Sequence, residues 1–259
     1  MNSMKSFRHN ILRRRRYDHI GRRVKKITPA ATHTFFYDGW NLIEERVAYA
    51  GGTNTTICYY WGKDLSGTLQ GAGGVGGLLY LTVTTSNIEP QTSNSQLFIP
   101  CYDNNGNITR YIDENGATVA QYTYDAFGNL LDKSGSMCDF FRHRFSTKYL
   151  DIEAGLYYYG YRFYSHALMR WLTRDPIEEL DSSNLYLFVW NRPSCCVDKL
   201  GLYRWVAVYY SRLDQPEFRR AAETYKREIE RDKSFNPKCD CVLIKGNYIL
   251  DLQYARRSK

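Results

Sequence analysis

Asp175 and Asp198 would form an acid pair if folding brought them together, though the sequence by itself does not select them over the chain's other aspartates. Two carboxylates brought within a few ångströms by folding cannot both ionise readily, so they come to share a proton. One then serves as base on a water molecule while the other serves as acid toward a peptide carbonyl. Arg174 could hold its neighbour Asp175 ionised or orient it. Each aspartate also has a plain structural reading. Asp175 precedes Pro176, as turn and helix-capping aspartates do, and Asp198 heads a turn into Gly201. Spacing alone leaves both readings open.

Other chemistries are easier to set aside. Gly71-Ala72-Gly73-Gly74-Val75-Gly76 matches the dinucleotide fingerprint letter for letter. That motif binds pyrophosphate only after a strand and at the start of a helix, with an acid about twenty residues on. Here Leu78-Leu79-Tyr80-Leu81-Thr82-Val83 follows, which reads as a strand, and Glu89 sits beside Pro90 in a polar loop. A glycine turn joining two strands is the better account, and no nucleotide or other cofactor is expected. The seven cysteines show no Cys-x-x-Cys pair and no histidine at zinc spacing, so no metal is expected either. Cys239-Asp240-Cys241 fits alternation along a strand, and the odd count mildly favours a reducing compartment.

The elements that must position these residues follow from composition. Tyrosine is the outlier, with 23 copies beside 19 glycines in 259 residues, which favours strands and tight turns over a helical bundle. The net charge of +8 gathers near the start, in Arg13, Arg14, Arg15, Arg16, Arg22, Arg23, Lys25 and Lys26. Such a cluster could touch nucleic acid, but it reads first as a solvated, disordered leader over residues 1–16. No signal peptide or membrane span is visible, so a cytoplasmic location before any export is expected.

Repeats then appear. Tyr17-Asp18-His19-Ile20-Gly21 recurs in outline at Tyr37-Asp38-Gly39, at Tyr102-Asp103-Asn104-Asn105-Gly106 and at Tyr124-Asp125-Ala126-Phe127-Gly128. A near-variant, Asp113-Glu114-Asn115-Gly116, lies between the last two. Aspartate accepts from backbone N–H groups two or three residues on, glycine takes the position needing positive φ, and flanking Tyr, Val, Ile and Leu alternate as in a half-buried strand. A lone hairpin is marginal, so the units must join into a longer sheet.

These units resemble the tyrosine-aspartate (YD) repeats of Rhs proteins, of the C component of insecticidal toxin complexes, and of teneurins. Tyr59-Tyr60-Trp61-Gly62-Lys63-Asp64-Leu65-Ser66-Gly67 resembles a stretch common in Rhs-like sequences. The stretch from Gly155-Leu156-Tyr157-Tyr158 through Arg174-Asp175-Pro176 to Asp198-Lys199-Leu200-Gly201-Leu202 resembles the Rhs repeat-associated core domain. The resemblance implies a mainly β fold, with hairpins in an extended curved sheet forming part of an Rhs shell. It further implies self-cleavage by Asp175, Asp198 and Arg174 after Leu202, at the Leu202–Tyr203 bond, releasing a variable C-terminal piece as cargo. Two positions depart from the family pattern: Glu178 stands where Gly is usual, and Lys199 where Pro is common.

Four regions are therefore expected: a basic leader over 1–16, the repeat scaffold over 17–144, the core-associated segment over 145–202, and a variable tail over 203–259. In the tail, Trp205 to Tyr210 reads as a strand, Pro216 to Asp232 as a helix, and Cys241 to Ile244 as a second strand, a small α/β unit. The expected function is a scaffold that presents or encapsulates an effector in bacterial competition or toxin delivery, with an immunity protein or delivery component as partner. The alternative is a structural cell-surface or secreted repeat protein without activity.

Overall fold

The computed structural model describes residues 15–86, 94–176, 183–194 and 196–202, together with the backbone of two later strands. Ten strands follow one another as an antiparallel meander. They are β1 (Arg15–Tyr17), β2 (Arg23–Ile27), β3 (Ala31–Asp38), β4 (Asn41–Tyr49) and β5 (Asn54–Trp61). β6 (Leu78–Ser86), β7 (Asn94–Tyr102), β8 (Ile108–Asp113), β9 (Thr118–Tyr124) and β10 (Leu130–Ser134) complete it. Sheet order equals chain order, and β1 and β10 are its two edges, so this sheet is open. The expected mainly β architecture is what the chain adopts.

The turn chemistry explains the meander. In four turns the Oδ1 of the leading aspartate accepts the N–H groups two and four residues on. For Asp103 both distances are 2.9 Å, to Asn105 and Asn107, and for Asp125 both are 2.9 Å, to Phe127 and Asn129. Asp18 and Asp113 repeat the pattern. The glycine at the fourth position has positive φ each time, for instance +74° at Gly106. The Tyr37-Asp38-Gly39 unit departs from this form, because Asp38 pairs directly with Asn41 across a two-residue turn.

One face of the sheet is apolar. Phe35, Leu42, Ile57, Tyr59, Leu81, Phe98, Tyr111 and Tyr122 are buried there against Phe141, Tyr149 and Tyr158. The covering residues belong to the segment after β10, which makes its own sheet from β11 (Tyr149–Asp151), β12 (Leu156–Tyr158), β13 (Phe163–Ser165) and β14 (Arg170–Trp171). A second core gathers Phe145, Tyr157, Tyr159, Tyr164, Trp171 and Phe188 behind it. A third sheet joins β15 (Cys196–Asp198) antiparallel to β16 (Arg204–Tyr209), which pairs in parallel with β17 (Asp240–Lys245). The helix expected over 216–232 lies outside the described residues.

The basic cluster differs from expectation. β1 begins at Arg15, inside the stretch read as leader, and Arg15, Arg23 and Lys26 are buried rather than solvated. All three converge on Asp151 of β11, with Arg23 at 2.6 Å, Arg15 at 2.9 Å and Lys26 at 3.2 Å. Burial opposes ionisation of Asp151, but these cations outweigh it and hold the carboxyl below its ordinary pKa. Charge that looked surplus in the sequence is the counter-charge of an aspartate more than a hundred residues away. Residues 1–14 lie outside the described residues. Among the described residues, no helix is long and apolar enough to cross a membrane.

Candidate functional site around Asp175 and Asp198

Asp198 ends β15 and heads the turn into β16. Its Oδ1 accepts the N–H groups of Leu200 (3.1 Å), Gly201 (2.6 Å) and Leu202 (3.1 Å), and Gly201 has a φ of +77°. This is the turn chemistry of the repeats used once more, now with Leu202 at the fourth place after the aspartate. Asp175 lies beyond β14, anchored by its N–H to the Leu185 carbonyl at 3.0 Å.

The group between the two aspartates is Arg162, a residue the sequence reading passed over. Its Nη1 lies 2.7 Å from Asp175 Oδ2 and its Nη2 3.5 Å from Asp198 Oδ2, with all three side chains buried. Nε donates to the Gly201 carbonyl at 2.5 Å, and the guanidinium lies over the Trp171 ring, 4.2 Å from its centroid. Asp175 and Asp198 are therefore bracketed on one guanidinium. Arg174, the arginine singled out from sequence, has an exposed side chain. A sequence signal for Arg162 did exist, since it is the lone charge within an aromatic run, and such a charge is buried only with partners.

Burial pushes the Asp198 carboxyl up to about 6, against the pull of Arg162 and of the Gly201 and Leu202 N–H groups. Burial thus favours the protonated form of this carboxyl over a wider pH range than for an exposed aspartate. Lys148 is also buried, and desolvation lowers it to about 8 even though Asp198 and Asp64 lie near.

The chain just ahead of Leu202 is held carbonyl by carbonyl. Lys148 Nζ donates to Lys199 O at 2.7 Å, the Tyr161 N–H donates to Leu200 O at 3.1 Å, and Arg162 donates to Gly201 O. Tyr203, beyond the bond implied as the cut, lies outside the described residues. The glycine loop joins β5 to β6, as a strand-to-strand turn does. Asp64 Oδ2 already accepts the Ala72 and Gly74 N–H groups, at 2.8 and 3.0 Å. In a phosphate-binding loop such groups face an anionic ligand. Here the protein's own carboxylate occupies them.

Comparison with known proteins agrees with this architecture. Residues 102–134 match the family model described as RHS Repeat. The tRNA nuclease WapA of Bacillus subtilis is 31% identical over 201 residues, covering 74% of this chain and 8% of that protein. Toxin subunit YenC2 of Yersinia entomophaga is 44% identical over 59 residues, covering 23% of this chain and 6% of its own. The crystal structure of TcdB2-TccC3 superposes with a TM-score of 0.58 at 25% identity, covering 73% of this chain and 9% of that one. This chain spans less than a tenth of each of these relatives.

Proposed function

For this chain, a toxin-related scaffold of the Rhs YD-repeat kind, we propose self-processing: hydrolysis of its own Leu202–Tyr203 peptide bond, which frees the residues beyond as cargo. Asp175, held beside the Arg162 guanidinium, takes a proton from water. The resulting hydroxide adds to the Leu202 carbonyl carbon, and Asp198 supplies a proton toward the leaving Tyr203 nitrogen as the C–N bond breaks. Water ends as the carboxyl of Leu202 and one N–H of the Tyr203 amine; the Asp175 proton returns to Asp198, and the new carboxyl gives up its proton to the amine or to solvent. Arg162 balances the charge of the pair throughout. In this reading the released piece is an effector used in bacterial competition or toxin delivery, met by an immunity or delivery protein. The likeness to a nuclease and to toxin subunits supports that setting.

One observation carries the reading. Two buried aspartates distant in sequence bracket a single arginine that also grips the carbonyl of Gly201, one residue before Leu202. The test is the intact mass of the purified chain beside its Asp175→Asn variant. Two fragments parting at Leu202–Tyr203 in the wild type alone are expected. A single full-length mass in both sinks the reading and leaves a scaffold that keeps the residues without the reaction.

A further inference from the structure

The glycine loop has no part in the chemistry above, yet it touches the site. Asp64 fixes the loop through the Ala72 and Gly74 N–H groups, and Ala72 and Val75 are completely buried with Leu65 and Val197 of β15. The loop thus packs on the strand that carries Asp198. At its tip, a Cβ placed on Gly73 would lie 2.0 Å from the Lys199 carbonyl oxygen, so only glycine lets the two backbones approach this closely. Lys148 Nζ ties the same two places together, donating to Gly73 O and Lys199 O at 2.7 Å each. An ammonium is costly to bury, and this one spends its described hydrogen bonds on carbonyls rather than on a carboxylate.

We propose that the loop Gly71–Gly76 and Lys148 form a clamp that positions the Lys199–Leu202 turn for the cut, an inference that rests on the self-processing reading. Lys148 is a positioning residue in this account, and Gly73 is the seat against which it draws the turn. The dinucleotide-like spacing of the glycines serves close backbone approach in both settings, but the object approached here is the protein's own chain.

The experiment is a time course of cleavage by intact mass, on full-length chain made by cell-free translation. It compares the wild type with Asp175→Asn, Lys148→Met and Gly73→Ala. Moving the turn by about 1 Å should slow cleavage about a hundredfold in both clamp variants. A pH–rate profile separates positioning from loss of fold. Arg162 and Lys148 are the cations that draw the Asp198 pKa down, so Lys148→Met should move the Asp198 limb to higher pH. Gly73→Ala should slow the reaction without moving that limb. Should Lys148→Met fail to fold, Gly73→Ala with an unchanged circular dichroism spectrum decides. Wild-type rates and profiles in both variants, with Asp175→Asn inert, overturn the clamp and leave self-processing standing. An uncut wild type overturns both.

Discussion

Gly116 and Gly128 hold the same place in successive turns, with φ of +81° and +82°, but their surroundings differ. A Cβ on Gly116 would meet nothing within 4 Å, while one on Gly128 would lie 2.6 Å from the Phe145 ring. Gly116→Ala should therefore cost about 1–2 kcal/mol, the left-handed penalty alone. Gly128→Ala should cost about 1–3 kcal/mol more, because Phe145 sits in a filled core and must shift. Urea midpoints on the Asp175→Asn chain, which stays in one piece, check this; equal losses would contradict it. Arg162 makes the second case at this scale. Arg162→Met leaves two buried carboxylates facing each other without their cation, which should cost about 3–5 kcal/mol and abolish cleavage. The Asp198 pKa in the folded protein, about 6, already lies above its ordinary value of 3.8, so its contribution is fully present below about 4 and lost as pH rises through 6. Removing the cation raises that pKa further, so the variant should fall furthest behind at pH 7 and recover toward pH 5. A deficit that does not vary with pH would count against the charge role. The turn aspartates were legible in sequence because their partners lie within four residues. Arg162 shows in the sequence only as a lone charge within an aromatic run; its role is not legible there, because the two carboxylates that give it one lie further along the chain.

Between elements, Glu45 does for the sheet what Arg162 does for the site. It sits on β4 and accepts from His33 on β3 (2.7 Å), Tyr59 on β5 (3.1 Å) and Tyr149 on β11 (2.7 Å), fastening the meander to the segment that covers it. Burial alone would raise its pKa, but the hydrogen bond and charge of His33 and the Tyr149 hydroxyl hold it at about 2. A folded pKa below the ordinary 4.5 means stability that is present above about 4.5 and lost as pH falls through 2. Glu45→Gln should therefore lose about 2–3 kcal/mol at pH 6 and about a quarter of that at pH 2.5, read from urea unfolding at both pH values. An equal loss at both would place the effect in packing instead. The hairpins themselves could be read from the Tyr-Asp-x-x-Gly units, since turn and alternation are local. What covers the sheet could not. Tyr149 and Tyr158 look like any other tyrosines until folding sets them against Phe35 and Tyr59, and the glycine fingerprint was settled by a strand after it rather than by its own letters.

For the molecule as a whole, the place of the proposed cut has a consequence for release. The Leu202–Tyr203 bond lies in the connection between β15 and β16, and those strands pair through Cys196 with Val206, Val197 with Trp205, and Asp198 with Arg204. Hydrolysis breaks the covalent link and leaves this ladder in place. β15 is anchored on the scaffold side, with Cys196 in the aromatic core and Val197 against the glycine loop, so its edge stays ordered after the cut. Three residue pairs make few hydrogen bonds, each contributing about 0.5–1.5 kcal/mol, whereas the ten-stranded sheet is fastened by buried aromatic rings and by Asp151 and Glu45. The two fragments should therefore co-elute on gel filtration in native buffer. They should separate at a urea concentration that leaves the circular dichroism of the sheet unchanged. Separation without urea would mean that the ladder does not survive the cut. Co-elution up to the unfolding of the sheet would mean that the segment beyond Leu202 is part of the scaffold's own core, and that hydrolysis alone does not release it.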